Sequence, residues 1–221
     1  MSVVVTYLVL RLQILDNPDH RSSHTRPTPS TGGIAIFVAF SIGFAAVWVV
    51  SDQARLSSFH LIGFAVAAIA IATIGFMDDL KKLKTFKSKL GVQIIAATIL
   101  LGFDIVFTRI SLPIVGVFEL GVIGYPMTIL WIVALTNIFN FMDGLNGLAG
   151  GTAVIVAIFL CVVTFLEGSF FVYIFCYVLA ASTAGFFIFN FPRARLFMGD
   201  VGSQFIGFSF AVLAVIAAEI D

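Results

Sequence analysis

Residues 59–79 read FHLIGFAVAAIAIATIGFMDD, a run without Lys, Arg, Asp or Glu from 59 to 77 that closes on the adjacent carboxylates of Asp78 and Asp79. A helix crosses the hydrocarbon core of a bilayer with about 17–25 apolar residues, so this stretch spells one membrane span with acids at its mouth. The pattern recurs along the chain, with apolar stretches at 34–51, 59–77, 90–107, 122–139, 151–166, 171–189 and 204–220. An eighth, from Ser2 to Leu15, is interrupted by Arg11 and Gln13 and is too short to cross alone. It has no small-residue cleavage site and reads as the end of a first helix rather than a signal peptide.

Composition agrees with that reading. Hydrophobic residues make up 60% of the 221 and charged residues 11%, with a mean hydropathy of +1.11, far beyond the apolar share of soluble domains. The expected fold is therefore an all-α polytopic membrane protein of about eight transmembrane helices, the first one partial, forming a single domain over 1–221 without internal repeats or linkers. The formal net charge is zero, which removes any bulk electrostatic case for nucleic acid. Cys161 and Cys176 both fall inside apolar spans and have no loop partner, so a disulfide framework is not expected.

Ten of the Lys and Arg residues (Arg11, Arg21, Arg26, Lys81, Lys82, Lys84, Lys87, Lys89, Arg193 and Arg195) lie in or beside loops on one side, and two (Arg55 and Arg109) on the other. The positive-inside rule makes the first side cytoplasmic, and Asp78, Asp79, Asp143 and Asp200 share it. Carboxylates at the edge of hydrocarbon are expensive and are usually kept for chemistry, ions or substrates. On the opposite side, 108–121 contains two short β-like runs around Gly116 and reads either as a small extracytoplasmic β-hairpin on the membrane surface or as a coiled loop.

Four polar stretches on the acidic side carry the informative residues. The first, Asp16 to Gly33, holds His20 and His24, which offer a cap or a phosphate contact, and a proline-stiffened run into Gly32-Gly33. Paired glycines let backbone approach a ligand closely, with amides at the helix start available to an anion; the alternative for this stretch is a helix-entry turn with a solvated basic run. The second is Asp78-Asp79 followed by five lysines, of which Lys89, closest to the next helix, is the ligand candidate, with Gln93 one turn further on. Adjacent carboxylates can divide metal binding and proton handling, while the lysines suit phosphates, anionic headgroups or simply topology. The third, 137–151, reads NIFNFMDGLNGLAGG. Its amides and acid offer oxygen ligands to Mg²⁺ and directional hydrogen bonds to a base edge. In the fourth, 197–203, Asp200 stands between Gly199 and Val201-Gly202, with Phe197 three residues ahead as either a stacking face for a nucleobase or an interfacial anchor.

Together these four stretches, in order and alternating with the spans, resemble the polyprenyl-phosphate N-acetylhexosamine-1-phosphate transferases, the glycosyltransferase family 4 enzymes that include MraY and WecA. Arg21-Ser22-Ser23-His24 and Asn140-Phe141-Met142-Asp143-Gly144 look closer to the WecA/WbpL-like branch, which starts O-antigen and other lipopolysaccharide or surface glycans, than to the branch serving cell wall peptidoglycan. The resemblance implies Mg²⁺-dependent transfer, with Mn²⁺ able to substitute, of a sugar 1-phosphate from a UDP-N-acetylhexosamine such as UDP-GlcNAc to undecaprenyl phosphate, releasing UMP. It implies a multi-pass protein of the bacterial inner membrane whose active site faces the cytoplasm, and leaves room for a homodimer. By position, Asp78 and Asp79 match the paired catalytic acids, Asp200 the metal-binding acid, and Asn140 a member of the metal shell. Lys89 matches a pyrophosphate-binding lysine, and Asp143, Asn146 and Phe197 match positions around the uridine. His24, Gly32 and Gly33 complete the substrate-binding set.

Three departures stand out. Asn146 replaces an Asp found in many bacterial relatives, and Ser30-Thr31 stands where an Arg often precedes the glycine pair. Relatives also continue past the fourth motif into a His-rich loop and further helices, so the 221 residues are expected to be part of a longer protein and inactive by themselves. The rival reading from another class is a transporter or lipid-linked sugar translocase, which calls for carboxylates near the bilayer midplane and broken helices in matched halves. A catalytically inactive family fragment is the third.

Overall fold

The computed structural model describes residues 1–12, 15–16, 28–51, 57–83, 85–112 and 116–220. Among them are eight α-helices: α1 (Ser2–Val9), α2 (Gly32–Val50), α3 (Ser58–Asp79), α4 (Phe86–Gly102), α5 (Gly124–Met142), α6 (Leu148–Glu167), α7 (Phe170–Asn190) and α8 (Gly199–Glu219). Six are long and apolar enough to cross a membrane, the fifth-helix span being counted from Gly121. The other two, α1 and α4, are 8 and 17 residues long. The chain is an all-α, multi-pass membrane protein, as its hydropathy requires. Backbone polar groups in hydrocarbon must be satisfied within the segment, and a helix does that.

The helices outrun the hydropathy at the polar ends. Apolar counting stops a span at 77, 139 and 189, whereas α3, α5 and α7 continue to Asp79, Met142 and Asn190. Hydropathy marks where hydrocarbon ends, and helical hydrogen bonding carries on past that boundary. The span expected at 90–107 needs correction at both ends, since α4 starts at Phe86 and stops at Gly102. Asp104 adopts a left-handed φ of 58°. The Ile105 amide turns back to the Leu100 carbonyl at 3.1 Å and the Asp104 amide to Leu101 at 3.2 Å, the paired bonds of a Schellman stop.

α8 occupies the centre, packed on α2, α3 and α5, and most of its side chains are buried. Apolar burial drives helix association weakly in lipid, where close packing and small residues matter more. Two glycines of α8 provide the close approach. A Cβ on Gly33 would fall 2.0 Å from the Gly202 amide nitrogen, and one on Gly207 would fall 2.7 Å from Phe139 Cβ. Around them sits an aromatic cluster in which Phe40 lies 4.6 Å from Phe175 and 5.3 Å from Phe205, and Phe64 lies 5.1 Å from Phe175.

At the end remote from the acids, β3 (Arg109–Leu112) pairs antiparallel with β4 (Gly116–Glu119), Arg109 opposite Glu119 and Ile110 opposite Phe118. This is the hairpin of the two alternatives for 108–121. Glu219 at the foot of α8 tethers it by accepting the Thr108 and Arg109 amides at 3.0 and 3.3 Å. At the acidic end, β1 (Leu15–Asp16) pairs with β2 (Thr28–Pro29) and leads the chain into α2.

Candidate active site

Four helices deliver one side chain or more each to a common point. Asp78 and Asp79 form the last turn of α3, Lys89 projects from the first turn of α4, Asn140 from the last turn of α5, and Asp200 from the first turn of α8. Lys89 is the hub. Its Nζ donates to Asp78 Oδ2 at 2.9 Å, to Asn140 Oδ1 at 3.2 Å, and to Asp200 Oδ2. Asn140 then donates from Nδ2 to Asp200 Oδ1 at 2.7 Å and to Ser203 Oγ at 2.8 Å. Each amide and carboxylate group therefore has a partner in a setting where an unpaired charge would be costly.

Asp79 faces the other way. Its two carboxylate oxygens accept the amides of Asp200 and Val201 at 2.8 and 3.2 Å, capping α8 from a helix 121 residues earlier. The amides at a helix start lack intrahelical acceptors and carry the positive end of the helix dipole, so a carboxylate suits the place. Gly199 makes room for it. Its φ is +70°, and a Cβ there would lie 2.9 Å from both Asp79 oxygens.

Asp143 stands just past α5 and accepts the Gly199 amide. Burial pushes its carboxyl well above the usual carboxylate range, and the nearby charges of Asp200 and Asp79 push the same way. Phe197 is half-buried in the segment leading into α8, while Asn146 is exposed in the short turn between α5 and α6. A cleft of about 280 Å³ opens beside the hub, lined by Asp78, Leu83, Thr85, Phe86 and Lys89.

The glycine pair requires a correction. The Gly32 amide donates to the Phe197 carbonyl at 2.9 Å and the Gly33 amide to the Met198 carbonyl at 2.6 Å, while the Phe197 amide donates to Pro29. These amides are therefore not available to an anion. The pair instead docks the first polar stretch onto the fourth, Gly33 buried against the Gly202 backbone and Gly32 against the Phe186 ring and the Phe197 carbonyl. His24 lies outside the described residues. The third stretch is mostly helix rather than loop, since Asn137 and Asn140 belong to α5 and only 143–147 connect it to α6.

Sequence reasoning passed over two residues that hold the site together. Asn190, at the end of α7, accepts the Gly147 amide at 2.8 Å and donates to the Leu196 carbonyl at 2.9 Å, tying the third stretch to the fourth. Ser203 receives Asn140 and itself donates to the Gly199 carbonyl. A polar residue closing an otherwise apolar span was the available signal for Asn190. The placement of the acids also bears on the transporter reading, because all of them sit at helix ends.

The donor set suits a hard cation. Two carboxylates and an amide oxygen already surround one positive charge, the Lys89 ammonium, and oxygen ligands of this kind are those Mg²⁺ takes. Among the described residues no group of three His, Cys, Asp or Glu side chains is arranged to hold a metal, so the carboxylates alone do not make a metal shell.

Paired acids, a lysine and an asparagine are thus gathered at one end of a helical membrane protein. The chain belongs to glycosyl transferase family 4, whose sequence profile matches residues 61–218. It is 33% identical over 214 residues to a probable undecaprenyl-phosphate N-acetylglucosaminyl 1-phosphate transferase of Bacillus subtilis strain 168, covering 96% of this chain and 58% of that protein. It is likewise 33% identical to the decaprenyl-phosphate N-acetylglucosaminephosphotransferase of Mycobacterium leprae strain TN, covering 97% of this chain and 57% of the relative. A phospho-N-acetylmuramoyl-pentapeptide-transferase of Clostridium botulinum strain Eklund 17B is 31% identical over 90% of this chain and 63% of its own length. The chain thus spans less than two thirds of the length of each of these relatives.

Proposed function

We propose that this protein transfers an N-acetylaminosugar 1-phosphate from a UDP-N-acetylhexosamine to undecaprenyl phosphate, releasing UMP, as the initiating step of a lipid-linked surface glycan. The observation that carries the reading is the Lys89 hub, in which groups from four helices meet beside a cleft at the membrane end. In the reaction an oxygen of the lipid phosphate forms a bond to the sugar-bearing phosphorus of the UDP-sugar. The bond from that phosphorus to the oxygen of the uridine phosphate breaks, and UMP leaves with the electron pair.

Such a step brings anions together, and catalysis of phosphoryl transfer rests on positioning and charge stabilisation. A Mg²⁺ ion held by oxygens of Asp200, Asp78 and Asn140 would screen the diphosphate and stabilise the departing phosphate. Lys89 supplies a second positive charge for the same oxygens. Asp78, at one-third side-chain exposure the more open of the two acids paired to Lys89, faces the cleft and is placed to orient the lipid phosphate. Asp79 holds the α8 start, and with it Asp200, in register. Asp143, Asn146 and Phe197 lie on the segments flanking the hub and are assigned to the uridine, Phe197 by stacking and the other two by hydrogen bonds to its polar edges.

The lysines and arginines at the hub end support a cytoplasmic active site in the bacterial plasma membrane. The test is UMP release by the full-length protein in the presence of undecaprenyl phosphate and Mg²⁺, run across UDP-GlcNAc, UDP-GalNAc and rarer aminosugar nucleotides. Release with at least one of them, dependent on the lipid phosphate, supports the reading. No release with any of them overturns it.

A further inference from the structure

One helical turn deeper than the hub lies a second polar layer that the proposed chemistry does not use. Gln93, Asn137 and Gln204 are on α4, α5 and α8, four, three and four residues from Lys89, Asn140 and Asp200. A spacing of three or four residues places each amide on the same helix face as its site residue, so each layer contains one residue from each helix. Asn137 Nδ2 donates to Gln93 Oε1 at 2.6 Å, and Gln93 Nε2 donates to Gln204 Oε1 at 3.0 Å and, more weakly, back to Asn137 Oδ1 at 3.4 Å. Gln93 and Gln204 are 1% and 0% exposed, so these bonds form without competition from water.

The orientation of the set is fixed from one end. Asn137 Nδ2 also donates to the Val133 carbonyl of its own helix at 2.8 Å. Turning that amide over would set two oxygens against each other. With Asn137 fixed, Gln93 must present its oxygen to α5 and its nitrogen to α8, and Gln204 must present its oxygen to Gln93. Gln204 Nε2 is left, among the described residues, without an acceptor. An unsatisfied buried donor costs stability. In lipid, interhelical amide hydrogen bonds hold helices at a set height as well as together, and this layer sits directly beneath the hub.

Resting on the function proposed above, we infer that Gln93, Asn137 and Gln204 are positioning residues. They lock α4, α5 and α8 in axial register so that Lys89, Asn140 and Asp200 meet in the geometry that receives the cation and the diphosphate. The hydrogen bonds among the three amides are directional where apolar contacts are not, and an axial slip of one helix would break them. The layer therefore acts on the site through its neighbours and touches no substrate.

The test compares Gln93→Leu and Gln204→Met, apolar replacements of similar volume, with wild type in the full-length protein. Three quantities are measured: UMP release, the KM for the UDP-sugar, and the Mg²⁺ concentration at the midpoint of Mg²⁺-induced thermal stabilisation, which needs no turnover. For groups that orient metal ligands, loss of about tenfold to a hundredfold in metal affinity or activity is typical. Both variants should fall in that range for kcat and for the Mg²⁺ midpoint, with the UDP-sugar KM raised because the same groups meet the diphosphate; the metal-free unfolding temperature falls where a buried acceptor loses its donor, but the deficit persists at assay temperatures well below it. Unchanged kcat and midpoint overturn the inference. So does a loss that follows only a lowered unfolding temperature and recovers on cooling, which is packing and nothing more. If Gln93→Leu does not fold, Gln204→Met, which removes one hydrogen bond of the layer, decides the matter. Absence of UMP release by wild type overturns the transferase reading instead, and the midpoint comparison still tests the positioning role.

Discussion

The Asp79 carboxylate caps the helix that carries Asp200, accepting the Asp200 amide at 2.8 Å and the Val201 amide at 3.2 Å. The adjacent Asp78 turns instead to Lys89. Two neighbouring acids of one motif thus have different partners: Asp78 bonds Lys89 in the hub and Asp79 caps the start of α8.

Stability should separate them. Asp79→Ala removes the acceptor for two amides of a buried helix start and is expected to cost about 1–2 kcal/mol, seen as a lowered unfolding temperature in detergent. Asp78→Ala should leave that temperature near wild type while abolishing turnover. Equal unfolding temperatures for the two variants would remove the capping role from Asp79.

Gly199 is a glycine whose replacement should disturb the site directly. Gly199→Ala forces a side chain into left-handed backbone, at about 1–2 kcal/mol, and drives its Cβ onto the Asp79 carboxylate. Both stability and UMP release should drop. Gly91→Ala, in α4 where an added Cβ meets no heavy atom within 4 Å, is the control and should be neutral or slightly stabilising. A harmless Gly199→Ala would contradict the cap geometry.

Asp143 gives a pH signature. Burial first, then the charges of Asp200 and Asp79, hold its carboxyl well above the usual range. The folded state therefore binds a proton that the unfolded chain, with a carboxylate pKa of about 3.9, has released. Its contribution is intact below that unfolded value and is lost as pH rises through the raised folded value. Asp143→Asn cannot ionise, so the stability of the variant relative to wild type should grow as pH rises above about 4. Unfolding temperatures measured across that range check it, and parallel curves would refute it.

Much of the site was legible in the chain because acids, amides and a lysine at the ends of apolar spans are conspicuous. Asp78, Lys89, Asn140 and Asp200 announce themselves that way, and the structure brings them together. What could not be read was long-range contact. Asp79 meets a helix start 121 residues on, and Gly33 meets Gly202; no local pattern encodes either pairing. For that reason Gly32 and Gly33 looked like an open anion site, although their amides belong to the Phe197 and Met198 carbonyls. The amide layer lies between these cases. Its spacing from Lys89, Asn140 and Asp200 is written in the sequence, but its meaning appears only once α4, α5 and α8 are side by side.

Phe197 tests the nucleotide end of the site. If its ring stacks on uracil, Phe197→Ala should weaken UMP and UDP-sugar binding by about 1–3 kcal/mol, read by titration calorimetry. Unaltered nucleotide affinity with reduced folded yield would leave it as an anchor for the segment into α8.

The central claim is that the carboxylates gathered on Lys89 form the reacting centre, and UMP release by Asp200→Asn in the full-length protein tests it most directly. An amide is a far poorer ligand for a hard cation than a carboxylate, so turnover with undecaprenyl phosphate, the preferred UDP-sugar and limiting Mg²⁺ should fall by about a hundredfold or more, a barrier increase of about 2.7 kcal/mol, with the variant still folded. Turnover close to wild type under those conditions would contradict the account.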